Sequence, residues 1–394
     1  MGRRILKNRN LALLDIFYIT ILVVLGCFVI LWVLNSKNYK VHAAGTVTYT
    51  ALGDSISSGF GLTDQNKVWV LLYNGNLAND EGVSTDLNNL GVPSLSSTEL
   101  LNKLKTDATF RSAVSAADFI TVDTGTVDWF TARWNGCSSS ACFDPMLATF
   151  KSNFDSIIAE IKAVNTKSNL YIAVMNLYNP YISVDTGYPE RDRYLQLMNS
   201  YIATKSSALG FGLADVHKAF NGASGTENPV AKNYIQVDGL HPSETGHGVI
   251  ADVFRRVDTD GDACADVKEI GPDYKLGGQR DYKNKWDFYS VPVPALIAAP
   301  DPTKAIKDSA VGAGDSQSVF AYFKVGAKAG SPEYEQDLNN NGIKDGLEYD
   351  RSIPPDHATK PWLSGPPDGA ISAGDAQLAF GVFKSGGGNC NQLP

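Results

Sequence analysis

Basic residues are in deficit in this 394-residue chain: 34 Lys and Arg stand against 42 Asp and Glu, a formal charge of −8. Such a chain has no general attraction for a polyanion, so nucleic acid is not an expected partner. Cysteine and histidine are scarce, five of each. No histidine or further cysteine lies near Cys137 and Cys142, or near Cys264 and Cys390, so the spacing does not suggest a zinc site. Apolar side chains are not lacking. At 43% hydrophobic residues, wholesale disorder is excluded and two or three domains with a sizeable core are within reach.

The charge is unevenly spread: +5 over residues 1–40, −6 over 41–257 and −7 over 258–394. The basic end precedes a nineteen-residue apolar run, Ile16 to Leu34, flanked by Arg3, Arg4, Lys7 and Arg9. That order keeps the amino terminus in the cytoplasm and exports the rest. Val41-His42-Ala43 before Ala44 resembles a small-residue cleavage site. Residues 1–43 therefore read either as a cleaved signal peptide or as a retained single-pass membrane anchor. Either way the expected location is extracellular or at the cell surface. Cys27 lies in the apolar run, and the other four cysteines can form disulfides in an exported protein. Three pairings are possible, and proximity favours Cys137 with Cys142 and Cys264 with Cys390.

Two short stretches carry the chemistry. In Tyr49 to Gly61 a β-branched alternating run stops at Gly53, and Asp54-Ser55 leads into small residues able to open a helix. Ser55 at a strand's carboxyl end is either a nucleophile on the rim where α/β sheets bind ligands, or only a helix cap. In Val237 to Gly248, Asp238 and His241 stand three residues apart in a Gly/Pro-containing loop, close enough for the carboxylate to orient the imidazole. His217, His247 and His357 have no such carboxylate context.

Gly53-Asp54-Ser55 and Asp238-Gly239-Leu240-His241-Pro242 together resemble the first and last blocks of the SGNH (GDSL) hydrolases. The resemblance implies a flavodoxin-like fold and an esterase, lipase or carbohydrate deacetylase acting on an ester substrate through Ser55, His241 and Asp238, with no catalytic cofactor. Asn89-Leu90-Gly91 resembles the second block, which places the Gly91 amide with that of Ser55 in an oxyanion hole. Gly125-Thr126-Val127-Asp128 departs from the third block, with Val127 where an asparagine donor belongs. Losing one such donor costs about 10²- to 10³-fold in rate. One reading is a working enzyme whose donor is replaced by Asn135 or a backbone amide. The other is a surface-displayed binding or assembly protein on an impaired hydrolase fold.

Residues 44–257 alternate strand and helix, the pattern of a doubly wound α/β domain. Strands are expected at Thr46–Leu52, Asp118–Val122, Leu170–Met175 and, more weakly, Gly212–Val216 and near Val83–Leu90. Helical periodicity fits Met146–Val164, Arg191–Leu209 and Ser243–Val257. The insertion from Asp128 to Asp144, with Trp129, Phe130 and Trp134, reads as a substrate rim or as an ordinary hydrophobic cluster, and the same holds for Tyr178, Asn179, Pro180 and Tyr181.

From residue 258 carboxylates take over. Asp258, Asp260, Asp262, Asp266 and Glu269 occupy positions 1, 3, 5, 9 and 12 of a twelve-residue loop, with the Cys264 carbonyl at position 7 and Ala263 at position 6. This is calcium-loop spacing. A second loop matches better: Asp337, Asn339, Asn341, Gly342, Asp345 and Glu348 fill positions 1, 3, 5, 6, 9 and 12, with the Ile343 carbonyl at 7. Asp308 to Asp315, followed by Phe320 and Phe323, recurs sixty residues later as Asp368 to Asp375, followed by Phe380 and Phe383. Residues 258–394 thus resemble a divergent dockerin-like or type 3 thrombospondin-like tail, a small helical and loop module of EF-hand type whose phenylalanines pack inward. Calcium in the repeats themselves is doubtful, because Ser364 and Pro366, or Lys304 and Ile306, hold the first ligand positions. The expected cofactor is structural Ca2+ in the two loops, where ion binding becomes folding energy, and a surface or protein partner of the tail is possible. The Pro/Ala-rich run 291–302 reads as a linker.

Overall fold

Strand β1 (Thr46–Gly53) changes from exposed to fully buried along its length, and the computed structural model, which describes residues 45–390, builds a five-stranded sheet around it. The others are β2 (Ser84–Gly91), β3 (Phe119–Val122), β4 (Tyr171–Met175) and β5 (Gly212–Ala214). All pairings are parallel and the order is β2-β1-β3-β4-β5. Every residue of β3 and β4 is buried, as expected of parallel strands covered on both faces.

Period-two alternation divides the sheet's side chains between two cores. Leu52, Ile120, Val122, Ile172 and Val174 pack with Leu100, Phe150, Phe154 and Ile202 from the helices Ser97–Thr106, Ser140–Val164 and Pro189–Leu209. Tyr49, Ala51, Phe119, Ala173 and Met175 pack with Trp69, Tyr73, Ile250 and Phe254 from Trp69–Glu81 and Glu244–Arg255. The strand order reverses at β1, so a crevice forms at the carboxyl ends of β1 and its neighbours. The five expected strands lie within two residues of their places. Expectation missed the helices Trp69–Glu81, Ser97–Thr106 and Ala108–Ala116. Periodicity starts the long helix at Met146, whereas the helix begins at Ser140 and continues through Pro145.

The chain continues into the tail without a break in packing. Ala265 and Val267 join the second core, while Cys264 joins a third formed by the tail. Residues 291–302 are no bare linker, since Val291, Ala295 and Leu296 are buried in that third core. The repeats form two helices packed on one another, Ala313–Lys324 and Ala373–Ser385. Their leading carboxylates are used alike: Asp315 accepts N–H bonds from Val291 and Gly312, and Asp375 from Arg351 and Ser372. The phenylalanines do not pack inward. Phe320, Phe323, Phe380 and Phe383 are 36–45% exposed, because the buried stripe runs through Val319, Tyr322, Leu378 and Val382 instead.

Among the described residues no helix is long and apolar enough to cross a membrane, and the run 16–34 lies outside them. Both favoured disulfides form, Cys137–Cys142 and Cys264–Cys390. They close loops of very different length, with sequence separations of 5 and 126. Chain entropy assigns about 2 kcal/mol to a loop as short as the first and about 5 kcal/mol to one as long as the second. Replacing Cys264 and Cys390 by serine should therefore lower the melting temperature well beyond the effect of replacing Cys137 and Cys142; equal or reversed effects in thermal unfolding would contradict this.

Candidate active site

β1 delivers Ser55 to the crevice through a turn with no room for side chains. A Cβ on Gly53 would lie 2.1 Å from Ser57 Oγ, and one on Gly91, at the end of β2, 2.5 Å from the Ser58 amide nitrogen. Asp54 caps the short helix Ser55–Ser58 by accepting the Ile56 N–H (2.8 Å), and Ser55 opens that helix half-buried at the crevice. The histidine arrives from the other end of the domain. Gln236 N–H donates to the His241 carbonyl (2.8 Å), Tyr178 Oη donates to Leu240 O (2.8 Å), and Ser243 caps the helix Glu244–Arg255. Gly239, at φ +74°, makes the turn between Asp238 and His241.

These elements bring Ser55, His241 and Asp238 together as expected. His241 Nε2 lies 3.0 Å from Ser55 Oγ, and Nδ1 lies 2.5 Å from Asp238 Oδ2. Asp238 Oδ1 also accepts the Leu240 and His241 N–H groups, at 2.9 and 3.0 Å. Partial burial opposes the Asp238 charge, but these hydrogen bonds and the imidazole outweigh it and hold the carboxyl below its usual value. The other histidines are employed elsewhere. His247 Nδ1 accepts the Trp69 N–H, and burial pushes its pKa down to about 3, so it is a neutral packing residue. His217 pairs with Gln196, and His357 lies against the Leu363 carbonyl.

A family model described as GDSL-like Lipase/Acylhydrolase matches residues 51–249, half of the chain. The chain belongs to this family. It is similar to the spore germination lipase LipC of Bacillus licheniformis, 23% identical over 214 residues that cover 53% of this chain and 95% of that protein. Among solved structures it resembles the lipase Lip_vut3 from a goat rumen metagenome (22% identity, 53% of this chain and 96% of that one, TM-score 0.47). It also resembles the acetylxylan esterase Axe2 of Geobacillus stearothermophilus (18% identity, 54% and 94%, TM-score 0.40). Membership in the GDSL-like family makes this chain an ester hydrolase.

Within the GDSL domain the N–H groups near Ser55 are disposed differently from what the resemblance implies. Gly91 N–H is taken by Asn89 Oδ1 (3.0 Å). Three residues on, Ser94 holds φ +65°, and its N–H has no acceptor among the described residues. Ser94 lines the same cavity as Ser55 and His241. A non-glycine residue in that region costs about 1–3 kcal/mol and persists where the surroundings impose it, often at functional sites. Residue type does not mark Ser94, because a left-handed φ is ordinarily the province of glycine. Val127 lines this cavity too, as the second residue of the helix Thr126–Trp134. Asn135 follows the opposite end of that helix, about 12 Å along its axis at 1.5 Å per residue, and does not replace the missing donor.

The expected aromatic rim divides. Trp129 is buried and donates to the Arg191 carbonyl (2.8 Å), Phe130 lines the cavity, and Trp134 is 75% exposed. Tyr178 and Asn179 are buried structural residues, the latter bonded to Asn221 and Asp192.

Both twelve-residue carboxylate loops form, with one systematic departure. Asp258 accepts the N–H groups of Gly261 and Ala263, and Asp337 those of Asn341 and Gly342. The ninth-position residues turn away: Asp266 accepts from Thr259 and Tyr171 Oη, and Asp345 from Leu338 N–H and Tyr322 Oη. Their carboxylates act here as tertiary anchors, at positions that the spacing offers as ligands. Asn339 and Asn341 donate their amides to Glu348, and Ile343 donates its N–H to Asn341 Oδ1. In the first loop Cys264 N–H donates to Asp262 Oδ1. Burial, and then the neighbouring carboxylates, push Asp260 up to about 9 and Glu269 to about 12. Asp287, which the spacing did not single out, lies within reach of Asp262 and Glu269.

Beneath Ser55, Asp54 and Asp123 are both buried, and Asp123 adds like charge beside Asp54. Burial raises both carboxyls, Asp123 to about 6, and Ser57 Oγ donates to Asp123 Oδ2 (2.8 Å). Each carboxyl keeps its proton in the folded chain to a higher pH than in the unfolded chain, which releases it near pH 4. Folding stability should therefore fall as pH rises from about 4, through about 6 for Asp123 and on to the higher pKa of Asp54. Denaturant unfolding at pH 5 and pH 8 should show Asp123→Asn losing less stability than the wild type; parallel losses would contradict the raised Asp123 carboxyl.

Proposed function

We propose that this chain is an exported serine esterase that hydrolyses carboxylic esters through an acyl-enzyme on Ser55. The observation that carries the reading is the continuous bond path Ser55 Oγ–His241–Asp238 at the switch point of the sheet. His241 takes the Ser55 proton as Oγ attacks the ester carbonyl, and Asp238, already ionised, stabilises the imidazolium. The N–H groups of Ser55, at the first position of its helix, and of Ser94 receive the oxyanion. His241 returns the proton to the leaving alcohol, and water then releases the acyl group by the same path. The lipase and acetylxylan esterase among similar proteins support either a lipid acyl or an acetyl ester. The cavity, about 650 Å³ with Ile56, Phe60, Val127, Phe130 and Leu240 in its wall, favours an acyl chain longer than acetyl.

The two disulfides support an exported setting, with residues 1–43 as signal peptide or anchor. The tail is proposed as a calcium-stabilised accessory module. Its second loop supports this, with N–H groups wrapped about Asp337 and Gly342 at φ +83°.

Hydrolysis of p-nitrophenyl esters by the full chain tests the reading. Ser55→Ala should lower kcat by at least about 10⁴-fold, and kcat/KM should rise about fourfold per added methylene until the cavity is filled. Activity unchanged by Ser55→Ala would overturn the mechanism.

Val127 favours the second reading, an impaired hydrolase fold used for binding. With two backbone donors in place and the third absent, Val127→Asn should raise kcat about tenfold or more. No gain in a folded variant would show that the wild-type hole is already complete.

A further inference from the structure

The first carboxylate loop and the segment after it converge in a way that the twelve-residue spacing does not describe. From Glu269 the chain leaves and returns: Gln279 N–H donates to Gly271 O and Arg280 N–H to Glu269 O, both at 2.8 Å, which brings Asp287 back to the loop. Asp281 N–H fixes Asp287 by bonding its Oδ2 (2.9 Å). The other oxygen, Oδ1, is buried without a donor, as are Asp260 Oδ2, Asp262 Oδ2 and both carboxylate oxygens of Glu269. Glu269, Asp262 and Asp287 are 0, 1 and 4% exposed. Ligand oxygens of these three lie within 4.8 Å of one another, and so do those of Asp258, Asp260 and Asp262.

Protein cations do not meet this demand. Among the described residues no Lys or Arg nitrogen comes within 4.0 Å of these oxygens. The Arg280 guanidinium is near, but it donates to the carbonyls of Gly277, Trp362 and Gly387. Arg351 donates to Leu347 and Asp350 carbonyls, and Lys307 acts on Asp262 and Asp258 only at longer range. Buried carboxylate oxygens without donors cost several kcal/mol each unless a cation is close. The donors are all hard oxygens, and Glu269 offers two at once, which is the preference of calcium.

We propose that Asp258, Asp260, Asp262, Glu269 and Asp287 form a calcium site at the junction of the hydrolase domain and the tail, with Asp287 in the place that spacing gave to Asp266. Asp266 is instead the site's anchor to the sheet, through Tyr171 Oη of β4 (2.9 Å). The ion therefore ties the tail's first segment to the catalytic domain. This inference stands apart from the esterase reading, because binding and not activity reports on it.

The test is calcium titration by calorimetry of the chelator-stripped full chain, with Asp337→Asn as a background that isolates this site from the second loop. Asp287→Asn in that background should weaken calcium binding about tenfold or more. Melting gives a readout that a merely structural Asp287 would not produce. Without calcium Asp287→Asn should melt at or above its parent, because a like charge is removed, and with calcium it should melt below it. No calcium binding by the Asp337→Asn chain, affinity unchanged by Asp287→Asn, or equal destabilisation with and without calcium would overturn the proposal.

Discussion

The bond between His241 Nε2 and Ser55 Oγ joins residues 186 apart in sequence, and most of the hydrolase domain can be read as the means of making it. One end is set by β1, whose carboxyl half is buried under both helical layers, so the turn at Gly53 cannot drift. The other is set by a loop pinned at Ile235–Pro242, at Gln236 and at Tyr178, and by a helix drawn so close that a Cβ on Gly246 would meet the Tyr234 carbonyl at 2.1 Å. The two ends also brace one another, since Gln236 Nε2 donates to the Phe60 carbonyl (3.0 Å) and the Phe60 ring lies against His241. A hydrogen bond at 3.0 Å then follows from two braced supports, which is how a preorganised site avoids paying for order during the reaction.

Electrostatics follows the same division. On the solvent side Asp238 keeps its charge because three hydrogen bonds converge on it. Beneath Ser55, burial raises both the Asp54 and the Asp123 carboxyls. The tail repeats the choice on a larger scale. Asp315 and Asp375 are satisfied by N–H groups of the chain, sixty residues apart in matching geometry, whereas both Glu269 oxygens and Asp262 Oδ2 are left without donors.

Much of this was legible in the sequence where a residue's type fixes its conformation or chemistry. Gly53, Asp54 and Ser55, the Asp238–His241 spacing, five strands and both disulfides fall in that class. What escaped depended on tertiary packing. The resemblance places a donor at Gly91, but its N–H is captured by the Asn89 side chain, while Ser94 holds a left-handed φ that its residue type does not announce. The outward phase of Phe320 and Phe380 is one residue from the inward phase, a difference that helical periodicity alone does not resolve. Asp266 fits a ligand pattern in one dimension, and only the fold shows Tyr171 already bound to it. The run 291–302 has the composition of a linker and the burial of a core.

The central claim is that His241 activates Ser55, and labelling of the full chain with a serine-reactive phosphonate tests it most directly. The account predicts a single adduct, located on Ser55 by peptide mass spectrometry, whose formation is lost in His241→Ala. No adduct on a folded chain, or labelling of Ser55 that is indifferent to His241, would contradict it.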